Sequence, residues 1–245
     1  SDTLVVHVMH IIGAGIHTVF GSRNAGFAGT KIQMKCGVDK SAIKTSNYDS
    51  QTDWNHNLKI ENMVIQGWRT YGQTVGSGID IFQMGECSWV HNVVLNDWPV
   101  AGIHIKGDNA PGRLDHCHTS TCQYGTWIED PGGPISLYTQ SGDNNDNWLY
   151  VSNSDPNPAM SGFSFVISIV NPKIECSNDQ HNPVILCEPL NNGEITIIGG
   201  RISDYSMYGP GLYITPDKAI VQITGPSGLD ESSSGHVQFI GVGVD

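Results

Sequence analysis

The residues best suited to chemistry are two carboxylates, an imidazole and an amine, which belong to Asp80, Glu129, His104 and Lys106. In such a set, one carboxyl group can protonate a leaving glycosidic oxygen while the other, helped by the imidazole, activates a water molecule. The amine would orient the substrate or raise the local acidity. The alternative is that Asp80–His104 and Lys106–Glu129 are cross-strand ion pairs on an exposed sheet, each worth about 0.2–1 kcal/mol.

Aromatic residues suggest a surface for binding sugars. Sugar rings present flat C–H faces that pack on aromatic rings. We therefore predict substrate contacts at Trp68, Trp98, Trp127 and Phe82. Trp68 and Trp98 occupy equivalent positions of a repeat described below, and the alternative for this pair is a buried aromatic ladder that fills the interior of the fold.

Histidines are numerous enough to raise the question of a metal site. His91, His116 and His118 lie near predicted bends, but no carboxylate or cysteine completes a recognised zinc spacing. The acidic stretch 142–147 lacks the glycine and the terminal glutamate of an EF-hand loop, and we interpret it as a turn. We therefore expect no metal and no cofactor. Calcium is left open because a cation could bridge this acidic chain to an acidic polysaccharide.

A repeated element must position these residues. Three octapeptides, 58–65, 88–95 and 112–119, superimpose without a gap. In each, apolar residues alternate up to a polar residue and then resume one step out of phase, as expected where a strand bends. The same pattern returns later in the chain. Asn and Gly tolerate the left-handed backbone that a sharp bend requires, and the predicted corners are Asn62, Asn92, His116, Asn171, Gly199 and Gly241.

A second element follows the first in three successive repeats, at 78–81, 102–105 and 125–128. Alternation turns its apolar residues inward, namely Ile79, Ile81, Ile103, Ile105 and Ile128. If equivalent strands stack about 4.8 Å apart, the remaining residues form two outward columns, Asp80–His104–Trp127 and Phe82–Lys106–Glu129. The backbones of Asp80 and Glu129 would then lie about 10 Å apart, which side-chain rotation can bring close to the roughly 6.5–9.5 Å of inverting glycosidases.

Strands of period two that return every 24 to 30 residues, without a helical stretch, predict an all-β fold, a single-stranded right-handed parallel β-helix or solenoid. We expect one domain over residues 1–245. Because it starts at Ser1 rather than Met, we interpret it as a processed chain or a fragment of a longer one. Surface loops are predicted at 45–57, 130–147, 153–161 and 225–235. The six cysteines leave both free thiols and one or two disulfide bridges open.

Composition excludes several classes of function. The chain has 24 acidic and 12 basic side chains and a net charge of −12 at pH 7, which repels phosphate backbones, so we expect no nucleic-acid partner. No run approaches the roughly 18 apolar residues of a membrane-spanning helix, so we expect no membrane insertion. An apolar fraction of 38% together with 29 glycines is ample for a buried core.

The phrases Ile-x-Asn-x-x-Ile and Gly-Ile-x-Ile, with the segment Ile-Gly-Ala-Gly-Ile-His-Thr-Val at 12–19, resemble the pectin-lyase-like β-helix superfamily, which includes domains of bacteriophage tailspikes. The resemblance covers nearly the whole chain and concerns the repeated pattern of strands and bends that specifies the fold. It implies a carbohydrate ligand, although lyases, hydrolases, epimerases and purely binding proteins all occur in this superfamily. The ordered Asn-Thr-Asp, Asp-Asp, Gly-His-Gly and Arg-x-Lys segments of polygalacturonases are missing, and no acidic strand face of a calcium-dependent pectate lyase is clear. Trimeric assembly is also implied by the resemblance.

Together these features predict an extracellular or virion-surface β-helix that binds polysaccharide, with cleavage by a glycoside hydrolase or polysaccharide lyase mechanism left open. The alternative is a non-catalytic structural or receptor-binding β-helix of a phage tail or virion. The expected partners are a polysaccharide and further copies of the chain in a homotrimer.

Overall fold

A computed structural model of the chain describes residues 3–6, 10–14, 16–17, 28–35, 38–50, 54–107, 111–152, 154, 165–176, 183–188, 194–204, 221–223 and 236–244. These residues lie in β-strands and in the turns between them, with one short 3₁₀ turn at Arg69–Tyr71. No helix among the described residues has the length and apolar character needed to cross a membrane. The predicted loop 225–235 lies outside the described residues, and so does 153–161 apart from Ser154.

Eight strands form the first sheet, in which every neighbouring pair is parallel. In their order across the sheet they are β1 (Leu4–Val6), β5 (Ile43–Thr45), β7 (Ile79–Phe82), β9 (Ala101–Lys106), β12 (Tyr124–Glu129), β15 (Asn147–Ser152), β18 (Ile185–Glu188) and β21 (Val221–Ile223).

Fifteen strands form the second sheet, which is parallel except for the antiparallel pair β3–β4. In chain order they are β2 (His10–Ile12), β3 (Ile16–His17), β4 (Ala28–Gln33), β6 (Lys59–Gln66), β8 (Trp89–Asn96), β10 (Gly112–Asp115), β11 (His118–Ser120), β13 (Pro134–Tyr138), β14 (Ser141–Asp143), β16 (Val166–Val170), β17 (Lys173–Cys176), β19 (Glu194–Ile198), β20 (Arg201–Asp204), β22 (His236–Ile240) and β23 (Gly243–Val244).

The chain alternates between the two sheets. From β6 to β21, each pass through the second sheet, made in one long strand or two short ones, is followed by one strand of the first sheet. Strands of successive passes then pair in parallel, as β7 pairs with β9 and β6 with β8. The predicted all-β character and the parallel pairing of successive repeats are confirmed.

The predicted corners form a file across the second sheet. All six have a left-handed backbone, with φ of 57° at Asn62, 50° at Asn92, 51° at His116, 51° at Asn171, 65° at Gly199 and 61° at Gly241. The side-chain amide of Asn92 donates a hydrogen bond of 2.7 Å to Oδ1 of Asn62, which joins two members of the file.

The file has a seventh member that the sequence did not reveal. Thr139 has φ of 48°, and its position is fixed by two backbone hydrogen bonds, from His116 to Tyr138 and from Thr139 to Val170. A β-branched residue is rarely found in this conformation. The stretch 130–147, predicted as a surface loop, instead contains strands β13 and β14 and the start of β15. Most of its Gly, Pro and Asn residues occupy the bends between short strands, and Pro134, Gly142 and Asn147 lie in the strands themselves, which explains the error.

Two further files of left-handed residues mark the other bends of each pass. One follows the second sheet at Asp97, Thr121 and Asn144, and the other follows the first sheet at Gln83, Gly107 and Asp130. Within each file, backbone hydrogen bonds run from one pass to the next, such as Gln83 N–H to the carbonyl of Lys106 at 2.8 Å. Short polar side chains and glycine therefore recur at every bend.

One apolar core lies inside the strands. All five isoleucines predicted to point inward, Ile79, Ile81, Ile103, Ile105 and Ile128, are fully buried in it. Burial of each such side chain contributes about 1.5–3 kcal/mol. Cys117, Cys122 and Cys187 pack in this core. Cys87, Cys117 and Cys122 are free thiols, of which Cys87 is exposed.

Candidate functional site

The two predicted columns exist on the outer face of the first sheet. Asp80 pairs with His104, which pairs with Trp127, and Phe82 pairs with Lys106, which pairs with Glu129. The alternation of inward isoleucines in β7, β9 and β12 produces this register, because each isoleucine that faces the core turns its neighbour outward. The structure therefore brings together all four residues that were predicted to be catalytic.

These four residues form a continuous charge network. Nε2 of His104 lies 3.0 Å from Oε2 of Glu129, and Nδ1 lies 3.7 Å from Oδ1 of Asp80. Nζ of Lys106 donates to Oε1 of Glu129 at 3.1 Å. Both ion pairs of the structural alternative, Asp80–His104 and Lys106–Glu129, are thus present. Whether the network also catalyses a reaction stays a prediction.

The charge network is buried, although the sequence placed it on an exposed sheet. Asp80 is 6% exposed, His104 5% and Glu129 9%. Segment 41–50 contains strand β5, and residues on both sides of that strand reach over the outer face: the Ser41 hydroxyl donates to Oδ2 of Asp80, and the Tyr48 hydroxyl lies 2.7 Å from Nδ1 of His104. The sequence predicted part of this segment as a surface loop but not where it lies.

Burial and hydrogen bonding set the protonation states. Burial lowers the pKa of His104, but the nearby carboxylates of Asp80 and Glu129 outweigh this effect and raise that pKa above its ordinary value. Burial raises the pKa of Glu129, but hydrogen bonds from His104 and Lys106 outweigh it and lower that pKa. Burial and the nearby carboxylates raise the pKa of Tyr48, which stays a phenol. Both shifts favour the imidazolium form of His104 beside an ionised Glu129, to which its Nε2 is hydrogen-bonded.

The geometry limits what the carboxylates can do directly. The imidazole ring lies between Asp80 and Glu129, with one ring nitrogen facing each carboxylate. In an inverting glycosidase a water molecule and the scissile bond occupy the space between two carboxyl groups. Oδ1 of Asp80 is buried and accepts no hydrogen bond from the described residues. One carboxylate oxygen of the network is therefore unsatisfied, which is uncommon for a buried polar atom.

An aromatic group adjoins the network on the same sheet face. The ring of Trp127 stacks on His104 at 4.0 Å between centroids, and its Nε1 donates to Oγ of Ser152 at 2.8 Å. Tyr124 and Tyr150 stack on each other at 4.4 Å, and each lies 5.6 Å from Trp127. We call Tyr124, Trp127 and Tyr150 the aromatic platform. All three are partly exposed.

Three residues of the site were not predicted from the sequence. Tyr150 follows Trp127 in the same column of paired strands, so extension of the repeat by one strand would have found it. Tyr124 lies at the start of β12, in the same repeat. Tyr48 carries no such signal, because it belongs to the crossing segment and not to the repeat.

The other predicted aromatic contacts lie elsewhere. Trp98 is fully buried and donates from Nε1 to the carbonyl of Ile65 at 3.2 Å, so no ring face is open to a sugar. It matches the alternative of a buried aromatic residue. Trp68 packs against the core, where Nε1 donates to the carbonyl of Met34 and the ring contacts Tyr71 edge-on. Phe82 lies on the outer face, paired with Lys106, but it is only 5% exposed and offers a sugar almost no surface.

The predicted turn at 142–147 connects β14 to β15, with Asn144 in the left-handed conformation. Its Asn145 side chain is buried and donates to Thr119, so this amide serves the fold. Among the described residues, the group of three or more potential metal ligands within reach of one ion lies on the second sheet, at His91, Asp115 and His116.

Comparison with known proteins identifies no relative: no protein-family model, no curated protein and no solved structure matches this chain.

Proposed function

We propose that the chain is a right-handed parallel β-helix of the pectin-lyase-like type, and that its first sheet binds a polysaccharide. The helical arrangement is supported by the alternation of the chain between two sheets and by the three files of left-handed residues, which recur once per pass. Bends at equivalent places in each pass are what a solenoid requires, because every coil must turn at the same corners to stack on the last.

The aromatic platform is the observation that supports glycan binding. Trp127, Tyr124 and Tyr150 form one partly exposed cluster on one sheet face, in which the two tyrosine rings stack on each other. Trp127 is held by its hydrogen bond to Ser152 and by stacking on His104, so little side-chain entropy is lost when a sugar packs on it. The exposed parts of these rigid rings offer apolar surface to the C–H groups of a sugar.

Polar groups beside the platform suit the hydroxyl groups of a sugar. Lys106, whose side chain is 21% exposed, offers N–H donors, and the carboxylate of Glu129 offers acceptors at the edge of the network. The net charge of −12 favours a neutral glycan over a polyuronate unless a cation such as calcium bridges the two.

Cleavage is a second candidate function, favoured by the unsatisfied Oδ1 of Asp80 beside a protonated His104. Catalytic sites hold charged groups in arrangements that do not maximise stability. In this proposal Tyr48 and Ser41 move away. One carboxyl group takes up a proton from solvent and gives it to the leaving glycosidic oxygen, and the other, as a carboxylate, takes a proton from the attacking water, which His104 orients. Lys106 orients the sugar.

A binding experiment with matched tryptophan variants tests the first function. The purified chain is screened against capsular and plant polysaccharides, and affinities are compared for the native chain, Trp127→Ala and Trp89→Ala. Trp89 is the control, because it is also partly exposed but lies on the second sheet. We expect Trp127→Ala to weaken binding about tenfold or more and Trp89→Ala to leave it unchanged. Equal affinities would refute the platform as the binding surface.

Product analysis separates cleavage from binding alone. Reducing ends and unsaturated products are measured for the native chain, Asp80→Asn and Glu129→Gln, with urea unfolding of each variant as the check on folding. Loss of product in both folded variants supports catalysis by the network. Unchanged product would reject this assignment. Binding without product supports the alternative of a structural or receptor-binding β-helix of a phage tail or virion.

We extend the proposal to a homotrimer on a virion or in the extracellular space. Apolar side chains support self-association: Ile198 and Ile240 pair directly on the second sheet and are 41% and 45% exposed. Large exposed apolar side chains that lie together mark association surfaces. Light scattering of the purified chain tests the trimer, and a monomeric mass at high concentration would contradict it.

A further inference from the structure

A cluster of two histidines and one aspartate lies on the second sheet, away from the charge network. His91 on β8 pairs directly with Asp115 on β10. His116 follows Asp115 at the left-handed corner, where φ of 51° lets its imidazole lie beside the preceding carboxylate. We call His91, Asp115 and His116 the histidine cluster.

The potential ligand atoms already converge. Nδ1 of His116 lies 2.7 Å from Oδ1 of Asp115, and Nδ1 of His91 lies 3.3 Å from Oδ2. One ligand atom from each residue lies within 4.8 Å of the other two. Two ligands at about 2.1 Å from one zinc ion are at most about 4.2 Å apart. Small rotations of the two partly exposed imidazoles would bring the ligand atoms from within 4.8 Å of one another to the separation of about 4.2 Å or less that a zinc ion requires.

We propose that the histidine cluster binds a divalent transition-metal ion such as Zn²⁺, Co²⁺ or Ni²⁺. Two imidazoles and one carboxylate form a ligand set that suits these ions, whereas Ca²⁺ and Mg²⁺ prefer oxygen ligands alone. The residues come from adjacent paired strands, so the backbone holds them in place before the metal binds.

Arg113 supports the site rather than competing with it. Its Nη2 donates to Oδ2 of Asp115 at 2.6 Å, which leaves Oδ1 to face the metal. Carboxylates that bind metals are commonly held by such a second hydrogen bond.

A pocket beside the cluster leaves room for further ligands. It has a volume of about 420 Å³ and is lined by Glu61, Asn62, Trp89, His91, Arg113 and Asp115. A metal held by three protein ligands retains free coordination positions, which water or a small ligand can fill from this pocket. The carboxylate of Glu61, which accepts a hydrogen bond from Nε1 of Trp89, adds negative charge to the same wall.

The test uses the whole chain, stripped of metal with a chelator and titrated with Co²⁺ by absorption spectroscopy and with Zn²⁺ by calorimetry. The chain contains ten histidines, so the comparison of variants assigns the site. We expect His91→Ala and His116→Ala each to weaken binding at least about tenfold, since each removes a direct ligand. His118→Ala is the matched control, a partly exposed histidine two residues from His116, and should bind like the native chain.

Two results would overturn the proposal. One is the absence of Zn²⁺ and Co²⁺ binding by the native chain at millimolar metal. The other is equal affinity in the native chain, His91→Ala and His116→Ala, which would place the metal on other histidines. Circular dichroism of each variant shows that it is folded, and Ca²⁺ in place of Zn²⁺ should give no signal that depends on His91.

Discussion

The charge network and the histidine cluster contain the same kinds of side chain but differ in how far other residues shield them from solvent. Each contains a carboxylate, imidazole and a basic side chain on the outer face of paired parallel strands. His104 is 5% exposed beneath segment 41–50, whereas the side chains of His91 and His116 are 40% and 56% exposed. Contacts from one segment of the chain are thus enough to bury a group of side chains that would otherwise lie on the surface.

Burial changes what the same ion pairs contribute. In the histidine cluster, water can solvate each partner when another is lost, so the pairs add little to stability. In the charge network, removal of one partner leaves a buried charge without compensation. Substitutions in the charge network should therefore lower the free energy of unfolding strongly, whereas loss of an ion pair in the histidine cluster should lower it little.

The largest expected effect comes from removing the central imidazole of each group. His104→Ala leaves Asp80 and Glu129 facing each other under the covering segment, and we expect the free energy of unfolding to fall by about 3–5 kcal/mol. His91→Ala should cost no more than about 1 kcal/mol. Urea unfolding of the two variants measures both. Equal losses would mean that the cover does not distinguish the two regions.

Substitutions at His116 separate the backbone from the imidazole. His116→Ala places a residue without left-handed preference at the corner, and we expect a loss of about 1–2 kcal/mol. His116→Asn keeps a residue that tolerates this conformation, as at Asn92, and should preserve stability while losing metal binding. Urea unfolding and metal titration of both variants test this. Unchanged stability of His116→Ala would show that this corner does not require a residue that tolerates a left-handed backbone.

Tyr48→Phe tests the contact between the cover and the network. The change removes the hydroxyl that lies 2.7 Å from Nδ1 of His104, and we expect a loss of about 0.5–1.5 kcal/mol by urea unfolding. Histidine acylation followed by mass spectrometry gives a second measurement: His104 should be protected in the native chain and become reactive in Tyr48→Ala. Rapid acylation of His104 in the native chain would contradict the conclusion that segment 41–50 shields this imidazole from solvent.

The smallest effect is the dependence of stability on pH. Because the pKa of His104 is raised in the folded chain, its contribution is complete below the ordinary value of 6.5 and is lost as the pH rises through the raised pKa. Because the pKa of Glu129 is lowered, its contribution is complete above the ordinary value of 4.5 and is lost as the pH falls through the lowered pKa. The network should therefore stabilise most between these two values.

Unfolding midpoints at pH 5.5 and pH 9 measure this window. The native chain should lose more stability than His104→Gln between the two conditions, because only the native chain deprotonates His104 in the folded state. His91→Gln is the control for an exposed imidazole. Identical pH profiles for the native chain and His104→Gln would show that the network does not hold the imidazolium.

Much of the strand framework was predictable. The corners at Asn62, Asn92 and Asn171 and the columns Asp80–His104–Trp127 and Phe82–Lys106–Glu129 were predicted and are present. They follow from two short-range signals, the alternation of apolar residues and the tolerance of Asn for a left-handed backbone. Thr139 was missed because its β-branched side chain gives the opposite signal.

The surroundings of those columns were not predictable in the same way. Trp68 and Trp98 were predicted to occupy equivalent positions of the repeat, yet Trp98 is fully buried and Trp68 is partly exposed. The repeat indicates which face of a strand a residue occupies, but contacts with other parts of the chain decide how far that residue is covered.

By itself, the order of residues determined the strands, their bends and the register that brings Asp80, His104 and Glu129 into line, because each depends on contacts between equivalent positions of a repeat. Only the tertiary structure decided that segment 41–50 lies over the network and leaves the histidine cluster uncovered. Its path depends on side chains far apart in sequence, Ser41 with Asp80 and Tyr48 with His104, and no local pattern encodes such contacts.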